Sequence, residues 1–182
     1  MTDSVLAPIA AVFSTRLQTL SRLLVLAETQ WRGKRVDPNS LLAARLAVDM
    51  LPLPHQIVFA CKHANEFAAW ATGGVAAEND PTQLDFGQLK QLVELTIRRL
   101  KVVTAKADPT VLERDKRVEL LEGLHMNLPG RAFVDDWLMP NFYFHLVTAY
   151  DILRHSGVMI GKADYLAHLA GHIRANSKSS QG

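Results

Sequence analysis

Asn141, His145, Thr148 and His155 share one line along a segment otherwise built for burial, at steps of i, i+4, i+7 and i+14. At about 100° per residue, Phe142, Tyr143, Leu146, Val147, Tyr150 and Leu153 fill a broad apolar arc and the four polar residues fall opposite it. Polar groups withdrawn from water cost a few kcal/mol unless they are hydrogen-bonded or hold something, so this stripe predicts a central polar pocket. Asn141, His145 and Thr148 would line it, joined by His63 from an earlier helical segment. A divalent metal in a helical bundle needs nitrogen or oxygen ligands projecting inward from facing helices, and the i, i+4 pair Asn141/His145 with His63 offers such a set. Zinc or nickel would suit the imidazoles, but an asparagine carbonyl is a weak ligand beside them. The other reading of His63, between Phe59 and Trp70, is a hydrogen-bonded structural histidine. No cofactor is firmly expected, and the pocket is equally a place for a small ligand.

The remaining candidates have simpler explanations. His168 and His172 have i, i+4 spacing, but no glutamate follows the first histidine and both lie near the chain end, so they are read as solvent-exposed. Arg154 and His155 occupy the last turn before Gly157, where positive or hydrogen-bonding groups complement the helix dipole. Cys61 is the single cysteine, which excludes an internal disulfide, and it falls among Ile57, Ala64 and Ala68 on a core face. Asp135 and Asp136 read as an acidic first turn. No phosphate loop, dinucleotide fingerprint or cysteine-rich zinc spacing occurs.

The elements that must position these residues are helical. Ile9, Val12, Phe13, Leu17, Leu20, Leu23, Leu24 and Ala27 recur at helical spacing between Pro8 and Arg32, and Gly33 marks a stop. Asp37-Pro38 caps a short turn through Leu46. A second helix runs from about Pro54 to Thr72, ended by Gly73-Gly74. Asp85 and Gln88 form a capping box for a third helix with inner residues Phe86, Leu89, Val93, Ile97, Leu100 and Thr104. The alternation Arg117-Val-Glu-Leu120, with turn signals at Glu122-Gly123 and Pro129-Gly130, predicts a small hairpin. The fourth helix starts near Phe133, bends at Pro140 and stops at Gly157, and a short amphipathic helix follows from Asp164 to about Ile173. The expectation is an all-α four-helix bundle in one domain over 1–175 with a flexible tail over 176–182.

Composition sets further bounds. With 182 residues, 48% of them hydrophobic, the chain is long enough for a substantial core. Twenty basic and 18 acidic residues leave a net charge of +2, too even for a nucleic-acid footprint, and Arg98, Arg99, Lys101 and Lys106 read as a solvated helix face beside Glu94. The N-terminal segment lacks a basic lead and is interrupted by Arg16, so neither a signal peptide nor a membrane span is expected. The expected location is cytoplasmic, with no nucleic-acid or membrane partner.

Several stretches carry a family likeness: 41–54 (Leu41-Leu-Ala-Ala-Arg-Leu), Phe59-Ala-Cys-Lys-His-Ala64, and above all Pro140-Asn-Phe-Tyr-Phe-His145 with Ile152-Leu-Arg-His155-Ser-Gly-Val158 onward to Tyr165. From about Ser4 to Tyr165 the chain resembles the DinB/YfiT-like four-helix-bundle superfamily, in a branch known only as a domain of unknown function. In metal-binding members of that superfamily one histidine from helix two and an HxxxH pair from helix four hold a divalent metal, and some act as thiol-dependent transferases or isomerases. The resemblance places His145 at the second histidine of the pair, Asn141 at the first and His63 near the helix-two ligand. Asn141 thus departs from the pattern and leaves two imidazoles where it has three. Three readings stand: an uncharacterised DinB-like bundle whose polar pocket binds a small ligand, a metal-dependent transferase or hydrolase for a small, thiol-bearing substrate, or a structural dimerisation module. A homodimer is expected from the resemblance and from residual apolar surface such as Val58.

Overall fold

The computed structural model describes residues 5–174. The first long helix, α1 (Leu6–Gly33), runs past both ends of its apolar repeat, with Leu6, Phe13, Leu17, Leu20, Leu23 and Leu24 fully buried along one stripe. Its length and composition would let it cross a bilayer, and here its apolar stripe is spent on the core. Asp37 then caps a 3-10 turn (Pro38–Ala43), its carboxylate accepting from the Asn39 N–H at 2.9 Å. The second helix, α2 (Leu53–Thr72), opens with Pro54 in its first turn, where a missing N–H costs nothing, and ends on Gly73 at φ 70°, a left-handed position that glycine takes without strain.

The third helix, α3 (Phe86–Lys106), opens on the capping box expected for it: Asp85 accepts from the Gln88 N–H at 2.7 Å and the Gln88 side chain accepts from the Asp85 N–H at 2.9 Å. Phe86, Leu89, Val93, Ile97 and Leu100 are all buried, whereas the side chain of Thr104 lies outside the described set. A two-stranded antiparallel hairpin follows, β1 (Asp115–Glu119) paired with β2 (His125–Pro129), Val118 opposite Met126. The turn signals at Glu122-Gly123 and Pro129-Gly130 fall at its connection and at its end.

The chain re-enters helix at Gly130–Ala132, passes through a π-helical segment (Phe133–Leu138) and continues as α4 (Met139–His155). The departure from α geometry therefore sits ahead of Pro140. Proline returns no N–H to the preceding turn and its ring crowds the carbonyl four residues back, and a widened turn accommodates both demands. A short helical turn, α5 (Lys162–Tyr165), and a 3-10 segment (Ala167–His172) stand where one short amphipathic helix was expected, and neither contributes a buried residue. The tail expected over 176–182 lies outside the described residues.

Packing joins α1 to α3, α3 to α2, and α2 to α4. Phe13, Phe67 and Phe142 meet at the centre from α1, α2 and α4, with ring centroids 5.3 Å and 4.9 Å from Phe13. All three are fully buried, and each such side chain contributes about 1.5–3 kcal/mol of apolar transfer. Val58, expected outside the inner arc of α2, is 3% exposed and belongs to the core. It offers no surface to a second copy.

The α4 face also differs from the sequence expectation. The buried side is Phe142, Leu146, Thr148, Ala149, Ile152 and Leu153, while Val147 is 38% exposed and Tyr143 and Tyr150 are half-buried. Thr148 enters the core because its hydroxyl donates to the Phe144 carbonyl at 2.7 Å, which removes the cost of burying it. His155 is exposed and does not continue the stripe inward.

Candidate functional site

His63 and His145 come together between α2 and α4. Their rings stack at 5.8 Å between centroids with planes 11° apart. Aromatic edges close the pair: Phe59 and Phe144 stand T-shaped to His145 at 5.1 and 5.2 Å, and Trp137 stands edge-on to His63 at 6.5 Å. Each imidazole is held by a partner on α2. His145 Nδ1 lies 2.8 Å from Gln56 Oε1, and because the Gln56 amide donates to the Leu51 carbonyl at 2.9 Å, its oxygen is the acceptor and His145 carries the hydrogen on Nδ1. His63 Nδ1 lies 3.2 Å from Glu66 Oε2, where a carboxylate accepts. Among the described residues nothing bonds to Nε2 of either ring.

The electrostatics favour a neutral His145. Burial, and then the charge His63 would present, push its pKa down to about 4. At neutral pH its Nε2 is therefore an unprotonated acceptor. His63 is 8% exposed, and it floors a cleft of about 350 Å³ whose walls include Lys62, Glu66, Lys116, Phe133 and Trp137. Lys62 pairs with Glu66 at 3.8 Å, and Lys116 sits over the Phe133 ring at 5.8 Å.

Asn141 and Thr148 contribute less than their spacing suggested. The Asn141 amide donates to the Trp137 carbonyl at 2.7 Å, one turn back on its own helix, and the Thr148 hydroxyl is consumed by Phe144. Only the Asn141 carbonyl oxygen is left to approach a ligand. As a metal site the set falls short: two imidazoles and a neutral amide oxygen provide fewer strong donors than the three protein ligands of a catalytic zinc centre. Among the described residues no three His, Cys, Asp or Glu side chains stand close enough to share an ion.

The other candidates resolve individually. His168 is half-buried, and burial followed by the charge of Arg16 lowers its pKa, so it is not the exposed tail residue expected. His172 is exposed, and the 3-10 geometry, at three residues per turn, puts an i, i+4 pair on different faces. Cys61 is fully buried and burial pushes its thiol up to about 12, which removes it as a nucleophile. Asp135 pairs with Arg131 on the helix surface. Sequence reasoning missed Gln56 and Glu66, although both lie at helical spacing from His63, seven residues before and three after, and Trp137, four before Asn141.

Comparison with known proteins supplies the family. No curated protein matches the chain. A crystal structure of a DinB family member protein from Shewanella denitrificans is similar to it at 30% identity, covering 92% of each chain with a TM-score of 0.72. The family model described as "Domain of unknown function (DUF1993)" matches residues 8–166. With a bundle of that shape and a family match over most of its length, the chain belongs to the DUF1993 domain family and is a DinB-like helical protein.

Proposed function

We propose that this protein binds a small hydroxyl- or thiol-bearing molecule at the His63–His145 pair, beside the cleft over His63. The carrying observation is the stacked pair itself, with both Nδ1 atoms held by α2 acceptors and, among the described residues, both Nε2 atoms without a partner. Burial first, and the neighbouring His63 second, keep His145 deprotonated, and a deprotonated Nε2 in a half-buried setting is a strong acceptor for an O–H or S–H donor. Trp137 and Phe59 supply an apolar rim against which the carbon skeleton of such a molecule would rest. The reading takes no metal, because the donor set around Asn141 lacks the third strong ligand.

The test is a titration of the protein with glycerol, ethylene glycol, 2-mercaptoethanol and cysteine, with 1,2-dimethoxyethane as the control that lacks a donor. The ring-proton resonances of His63 and His145 report binding. Saturable shifts with at least one donor probe, absent with the control and absent in His145→Phe, are expected. No saturable shift with any of the four, or equal shifts in His145→Phe, overturns the assignment.

A further inference from the structure

A second cavity of about 290 Å³ lies where the end of α2 faces α3, away from the histidine pair. One feature of it is not explained by packing. Asn65 is 3% exposed, yet it carries an amide into the buried side of α2 alongside Ala64 and Ala68. Burying an amide costs a few kcal/mol unless its bonds are made well, and both of its bonds are at the long end of the acceptable range. Its Nδ2 reaches Thr96 Oγ1 at 3.3 Å, and its Oδ1 receives Arg99 Nη1 at 3.4 Å. The amide orientation follows from chemistry. Thr96 spends its hydrogen on the Leu92 carbonyl at 2.9 Å and so accepts from Asn65, while a guanidinium only donates.

The relay Arg99 to Asn65 to Thr96 to Leu92 therefore holds a surface guanidinium at the mouth of the cavity through a buried anchor. Among the described residues Arg99 has no carboxylate partner, and its remaining N–H groups have no acceptor. Val75, Ala76 and Ala77 also line the cavity, and their backbone N–H groups likewise bond to nothing described. The rest of the lining is methyl-rich, chiefly Ala68, Ala69 and Val102. A planar fork beside free main-chain donors matches a planar anion, and one positive charge over apolar walls matches a monoanion with a short hydrocarbon body. The volume lies just under the roughly 300–1,000 Å³ range of ligand pockets, which sets the size of the guest.

We infer that the Asn65–Arg99 cavity is a binding site for a small aliphatic monocarboxylate, with Arg99 and the 75–77 backbone gripping the carboxylate and Ala68, Ala69 and Val102 receiving the chain. The assignment is independent of the histidine pair, although Ala76 and Ala77 form a wall common to both cavities.

The experiment titrates the full chain with acetate, butyrate, hexanoate and octanoate while backbone amide shifts are followed, with hexanamide and inorganic phosphate as controls. Saturable shifts confined to Asn65, Val75, Ala76, Ala77 and Arg99, strongest for butyrate or hexanoate, are expected, with the His63 and His145 ring protons unmoved. Arg99→Gln, a change at an exposed side chain, should weaken the carboxylate about tenfold or more, and Arg99→Lys should restore part of the loss. Absence of saturable shifts with every carboxylate overturns the inference. So does equal affinity in Arg99→Gln, equal binding of hexanamide, or tighter binding of phosphate than of any carboxylate. Shifts centred on His63 and His145 instead would also overturn it and would assign the carboxylate to the other cavity.

Discussion

Acidification should expose the energetic cost of holding His145 neutral. Its pKa is about 6.5 in the unfolded chain and about 4 in the fold, so between those values the unfolded state binds more protons than the native state. Stability from this group is therefore intact above about pH 6.5, falls as pH drops through the window, and stops falling near pH 4. Converted in full, the shift would be worth about 3 kcal/mol, and because the ring is only half-buried, solvent screening reduces this to roughly 1–2 kcal/mol. His145→Gln removes the titration while keeping a side chain able to donate to Gln56 Oε1. Urea unfolding of both proteins at about pH 7.5 and about pH 4 should show the wild type losing roughly 1–2 kcal/mol more than the variant. Because burial is the larger cause and His63 the smaller, His63→Gln should raise the His145 pKa only part of the way back, as read from its ring-proton titration. Identical pH dependence in wild type and His145→Gln, or a His145 titration centred near the ordinary value, would refute the reasoning.

Four other outcomes follow from the same geometry. Asn141→His adds an imidazole one turn from His145, and zinc or nickel affinity by competition titration should rise about tenfold or more; no rise would mean that position 141 does not converge with the histidine pair. Gly130→Ala should cost about 1–3 kcal/mol in urea unfolding, since a Cβ there would meet the Val111 carbonyl oxygen at 2.5 Å and the Arg114 carbonyl oxygen at 2.8 Å, and a cost near zero would show that this backbone can yield. Cys61 should react with a thiol-specific reagent only on unfolding, and rapid native-state labelling would contradict its burial and raised pKa. Asp85→Ala should lower stability by about 1 kcal/mol through loss of the bond its carboxylate accepts from the Gln88 N–H, and an unchanged unfolding midpoint would show that this cap is worth nothing net.

What could be read from the chain divides along a physical line. The capping box at Asp85, the left-handed stop at Gly73 and the hairpin turn at Glu122-Gly123 are decided within a few residues, by hydrogen bonds or backbone sterics that the local residue types announce. The α4 face is decided elsewhere. Thr148 counts as polar by composition, but a hydroxyl that donates to Phe144 presents little more than a methyl group to its neighbours, and the buried stripe rotates to include it and leave Val147 outside. Periodicity weighs side chains by type and does not register hydrogen bonds that stay within the helix. The Asn141 amide is invisible to it for the same reason, being tied to Trp137 one turn back. The meeting of His63 with His145 is a tertiary fact, and it depends on how α2 docks along α4 and on Gln56 reaching across between them. Yet the cost of a buried imidazole without a partner demands an acceptor nearby, and Gln56 and Glu66, at seven and three residues from His63 on its own helix, already stood where such acceptors had to be.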